Sequence, residues 1–84
     1  MRTREEVKLA IEAALRLAFP TDTVDVSDGY ENNIHVLVVS RRFDSMANQE
    51  QLDLLWGLID GAGLNAEETA LISLVLPASP GQLK

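Results

Sequence analysis

At 84 residues, 46% of them apolar and with both charge signs represented, the chain is long enough for one hydrophobic core and too short for two ordinary domains. Seven basic against thirteen acidic residues give a net charge of −6. That charge opposes binding to a phosphate backbone unless Arg2, Arg4 and Lys8, or Arg41 and Arg42, gather on one face. The absence of cysteine excludes disulfides, thiolate metal sites and thiol nucleophiles, and it suits a reducing, cytoplasmic setting. Met1 to Val7 is charged, so neither a signal-peptide core nor a membrane span is expected there.

Thr3-Arg4-Glu5-Glu6 reads as a capping box, in which the Thr3 hydroxyl takes the Glu6 amide and the Glu6 carboxylate answers the Thr3 amide. A first helix is predicted from there to Pro20, with Val7, Ile11, Leu15 and Ala18 on its buried side. The ladder Arg4, Lys8, Glu12 and Arg16 is a solvated face. Thr23-Val24-Asp25-Val26-Ser27 alternates as a strand buried on one face, and Ser27-Asp28-Gly29 with Asn32-Asn33 reverses the chain. Ile34 to Ser40 is apolar almost throughout, which predicts a central strand covered on both faces. His35 is its one polar interruption, and a lone histidine lacks the partners that a metal site needs.

Ser45 to Gln49 offers several N-caps for a second helix, whose expected buried stripe is Leu52, Leu55, Trp56 and Ile59. Trp56 is expected in the core between that helix and the sheet. Asp60-Gly61-Ala62-Gly63 ends the helix and is no phosphate loop, since it follows a helix and no Lys-Ser/Thr comes after it. Asn65-Ala66-Glu67-Glu68 opens a short third helix. Leu71 to Leu76 is a last strand closed by Pro77, within an ordered core of about 3–77 and a tail of 78–84. The expected architecture is one α+β domain over 1–84, in αββααβ order, with a three-stranded mixed sheet and helices packed on one face.

The run Ile34-His35-Val36-Leu37-Val38-Val39-Ser40-Arg41-Arg42-Phe43-Asp44 resembles the BolA family's strand ending in Val-Val-Val-Ser with Phe close behind. Trp56 falls where that family usually has Tyr, and Ser79-Pro80 with Leu83 resembles its Thr-Pro-Glu-Glu-Trp close. The likeness spans roughly residues 4 to 83. It implies a fold related to type II KH domains, and a role beside monothiol glutaredoxins in iron–sulfur handling or in transcriptional regulation. Departures cut against part of this. Gln51-Leu52-Asp53 stands where the family has Arg-His-Arg, Thr69 lies near the position of its histidine ligand, and Tyr30, Glu31, Asn32 and Asn33 fill its ligand loop.

The resulting expectation is a BolA-like, non-enzymatic, protein-binding or regulatory module. It has no catalytic residue, metal or cofactor of its own, and it behaves as a monomer or weak homodimer. A glutaredoxin-like protein is the candidate partner, and His35, Arg41, Arg42, Phe43 and Trp56 are the candidate contacts. The alternative is a KH-like nucleic-acid-binding domain, disfavoured by the net charge and by the lack of Gly-x-x-Gly between two helices. An enzyme would have to build a His–carboxylate pair from His35 with Asp25, Asp28, Glu31 or Asp44, which otherwise read as solvated turn carboxylates.

Overall fold

A computed structural model describes residues 3–29 and 33–80. Its elements are α1 (Arg4–Ala18), β1 (Thr23–Asp28), β2 (Ile34–Val39), a 3-10 turn (Arg41–Ser45), α2 (Asn48–Asp60), α3 (Ala66–Thr69) and β3 (Ile72–Ala78). This is a small α+β domain with a three-stranded mixed sheet. The capping box forms at the start of α1: the Glu6 amide donates to the Thr3 hydroxyl at 3.2 Å, and the Thr3 amide donates to the Glu6 carboxylate at 2.9 Å. Val7, Ile11 and Leu15 form the buried stripe of α1. At the far end of α2 the chain turns through Gly63, whose φ of +80° is open to glycine and costly for other residues.

The sheet order is β1-β2-β3. β1 runs antiparallel to β2 with Val24 opposite Val38 and Val26 opposite Val36, whereas β3 runs parallel to β2. Both α1 and α2 pack on the face that carries Ile34, Val36 and Val38. Side chains alternate across a strand, so the other face carries His35, Leu37 and Val39. Burial along β2 follows that alternation, full on the helix side and partial on the other. The uniformly apolar β2 sequence is therefore covered on one face only, contrary to the two-sided burial its composition predicts.

The core joins Phe19, Phe43, Leu55 and Ile59 to the α1 stripe and to the inward residues of the strands. Phe19 and Phe43 meet as a tilted pair with centroids 5.7 Å apart. Arg42 places its guanidinium carbon 4.6 Å over the Phe19 ring and donates to the Ala18 carbonyl at 2.8 Å, closing the C-terminal turn of α1.

Three expectations for the second half of the chain are corrected. On α2 the fully buried residues are Gln51, Leu55 and Ile59, while Leu52 and Trp56 are only half-buried. The stripe is turned because Gln51 faces inward, donating to the carbonyls of Phe43 at 2.9 Å and Met46 at 3.0 Å. The N-cap of α2 is Ala47, which has no side-chain acceptor, and its amide donates to Glu50 at 3.1 Å. Pro77 lies within β3 rather than closing it, and the strand continues to Ala78. An edge strand tolerates proline where the missing N–H would point outward.

Replacing Phe43 by Ala is expected to remove about 3–5 kcal/mol of unfolding free energy, most of what a domain this small possesses. Leu17, which is 86% exposed, should tolerate Ala within roughly 0.5 kcal/mol. Urea unfolding followed through Trp56 fluorescence checks both. Similar midpoints for the two variants would show that the aromatic pair is not central to the core.

Candidate functional site

Leu74 and Leu76 of β3 are 44% and 47% exposed, and both lie on the sheet face that no helix covers. Register places Leu74 beside His35 and Leu76 beside Leu37. Across β2, Ser27, Asp25 and Thr23 of β1 lie opposite His35, Leu37 and Val39. The open face is thus apolar along β2 and β3 and polar along β1, with Asp25 its acidic member. Monomeric proteins seldom leave large apolar residues side by side on a surface without use.

His35 belongs to this face but is held at one end of it. Its ring lies against Gly29, where any Cβ would strike it, and the Gly29 amide donates to the Asn33 carbonyl at 2.7 Å. No hydrogen bond joins His35 to Asp25, Asp28 or Asp44. Asp28 instead accepts from Lys8 at 2.9 Å and pairs with Arg4 at 3.5 Å, fastening α1 to β1. The Lys8 hydrogen bond holds the Asp28 carboxyl below its usual range, and the same bond, with help from Glu5, lifts the Lys8 ammonium above its own.

The remaining candidate contacts are scattered. Phe43 is fully buried and cannot meet a partner, because its ring completes the core against Phe19. Arg42 is spent on Phe19 and the Ala18 carbonyl, and Arg41 is exposed at the end of β2. Ser40, which precedes them, is buried and donates to Asp22 at 2.8 Å. Trp56 is half-buried on α2 and packs against the edge of the core. Tyr30, Glu31 and Asn32 are outside the described residues, as is Leu83. Among the described residues no group of three or more His, Cys, Asp or Glu side chains converges on a point, and no helix is long and apolar enough to cross a membrane.

Two open grooves also lie among the described residues. One, of about 390 Å³, runs between α1 and α2 and is lined by Ala14, Leu17, Ala18, Gly57, Leu58 and Gly61. The other, of about 330 Å³, lies between α2 and β3 and is lined by Asn48, Gln51, Leu52, Val75, Leu76 and Pro77. No family model matches this chain, and neither a curated protein nor a solved structure matches it. Nothing outside the molecule therefore favours one surface. Within it, the first groove exposes one leucine strongly, Leu17, whereas the open face sets Leu74 and Leu76 beside Leu37 and meets the second groove at Leu76.

The Lys8–Asp28 link sets a pH dependence. A carboxylate whose pKa is depressed on folding stabilises the fold above its unfolded pKa of about 3.9, and that contribution fades as pH falls through the lower folded value. The raised Lys8 pKa acts at the other extreme, fading as pH rises through it. Thermal melts of wild type and Asp28→Asn should differ between about pH 5 and 9, and the gap should narrow as pH falls below about 3.9. An equal gap at all pH values would show that the link does not act through charge.

Proposed function

We propose that this chain is a non-catalytic protein-binding module that meets its partner with the open face of its sheet. The observation that carries this reading is the pairing of Leu74 and Leu76, each nearly half exposed, with half-buried Leu37 and Val39 on a face that α1 and α2 leave uncovered. Burying those side chains against a partner contributes about 25 cal/mol per Å² of apolar surface. A monothiol glutaredoxin remains the proposed partner class, supported by the resemblance of Ile34 to Asp44 to the BolA family and by the αββααβ order. With neither cysteine nor a second histidine in the chain, the module would bring a surface to such a partner rather than a set of ligands.

The nucleic-acid alternative is weaker on the same face. Asp25 is its acidic member, Arg42 is committed to α1, and the net charge is −6. A phosphate chain laid there would meet apolar and acidic groups.

The test compares wild type with Leu74→Asp and Leu76→Asp, both surface changes that leave the core intact. Proteins retained by immobilised wild type are quantified by mass spectrometry, and a purified monothiol glutaredoxin is titrated in parallel. Retention lost in either variant, or a dissociation constant raised by about tenfold or more, is the expected result and corresponds to about 1.4 kcal/mol. Identical retention by all three proteins would remove the open face as the binding surface. Submicromolar, sequence-selective binding of duplex DNA at physiological salt would replace the reading with its alternative.

A further inference from the structure

The two edges of the sheet are not equivalent. At the β1 edge, Arg16 donates from its guanidinium to the Val24 carbonyl at 3.3 Å, and Lys8 with Arg4 surrounds Asp28. Charged side chains lying on an edge block the approach of another strand. At the β3 edge the situation is reversed. The Ala78 carbonyl accepts the Ser40 amide at 2.9 Å and so points toward β2. Direction alternates along a strand, so the Pro77 carbonyl and both the amide and the carbonyl of Val75 point outward. Among the described residues no side chain or backbone group bonds to these outward groups. Pro77, which has no N–H, sits at an outward position where none is needed for the ladder.

The outward groups open onto the groove between β3 and α2 lined by Asn48, Gln51, Leu52, Val75, Leu76 and Pro77. We infer that this edge accepts an extended, basic peptide segment of a partner protein as a fourth strand, with an apolar side chain of that segment seated against Leu52. This rests on the reading of the chain as a protein-binding module and adds to it the mode of binding and the chemistry of the partner. A strand added there exchanges hydrogen bonds with Val75 and delivers one to the Pro77 carbonyl. Its side chains then fall alternately into the groove and onto the open face beside Leu74 and Leu76.

Charge selects the occupant. Asn48 and Leu52 line the groove at helical spacing, and Gln49 and Asp53 form the next ridge outward, where Gln49 donates to Asp53 at 2.9 Å. α2 carries Glu50, Asp53 and Asp60 and no basic residue. A segment bearing Lys or Arg is drawn to that helix. A second copy of this chain is opposed, because pairing β3 with its own image would bring two acidic α2 helices alongside one another and join two chains of charge −6.

The probe is an acetylated, amidated heptapeptide of alternating valine and threonine with a lysine at each end, compared with the same peptide ending in glutamates. Both are titrated into the full chain with amide NMR detection. The expected result is that the lysine peptide shifts the Val75 and Leu76 amides, slows solvent exchange of the Val75 amide, and binds more tightly than the glutamate peptide. Asp53→Lys should weaken the lysine peptide roughly three- to fivefold, the size of one exposed ion pair reversed. Glu12→Lys, on α1 beside the β1 edge and away from the open face, makes the same change in net charge and should leave affinity nearly unaltered. The inference is overturned if the Val75 amide is unmoved at millimolar peptide, if both peptides bind alike, or if the two charge variants weaken binding equally. It is also overturned if the protein alone self-associates through β3. A negative result here, with partner retention still lost in Leu76→Asp, would leave the open-face reading standing and remove only the added strand.

Discussion

The parallel pairing of β3 with β2 is the constraint on which the rest of the molecule depends. Parallel neighbours cannot be joined by a tight turn, so the chain between Ser40 and Leu71 must cross over a face of the sheet. It does so carrying α2 and α3, and α2 settles beside α1 on the face that holds Ile34, Val36 and Val38. Among the described residues no further element covers the opposite face. The open surface is therefore a result of topology as much as of composition, and the residues it exposes are those whose alternation places them there.

Short polar anchors fix the start of the crossover. Ser40 bonds Asp22 through its hydroxyl and accepts the Arg42 amide at 3.1 Å. Gln51 then gathers the carbonyls of Phe43 and Met46, tying the 3-10 turn to the first turns of α2. A buried amide that satisfies two carbonyls does more than fill space, because a shift of α2 by one residue would leave all three groups unpaired. The position of the helix relative to β3, and with it the shape of the groove, follows from that amide.

This division explains what was legible in the sequence. The capping box at Thr3, the α1 stripe, the strand at Val24 and the stop at Gly63 are set by neighbours within a few residues, and the pattern displays them directly. Leu52 and Trp56 were placed too deep because apolar spacing alone defines a stripe, and nothing local marks Gln51 as inward-facing when its partners lie in a preceding turn. In β2 an unbroken apolar run carries the same composition whether its second cover comes from this chain or from another molecule. Leu74 and Leu76, read as members of a strand, become site residues only through the absence of a second layer. Phe43 and Arg42 stand together in the run after β2, but the residue both contact, Phe19, lies across the fold.

α1 is fastened at its two ends by links of different chemistry. Near its start, Lys8 and Arg4 hold Asp28, a carboxylate that acid can neutralise. At its finish, Arg42 holds the Ala18 carbonyl and the Phe19 ring, a link in which no carboxylate takes part. Acidification therefore weakens the polar links of the helix at one end only. Under those conditions Val7, Ile11 and Leu15 still hold α1 to the sheet, and what acid removes is the charged cover over the Asp28 end of the β1 edge.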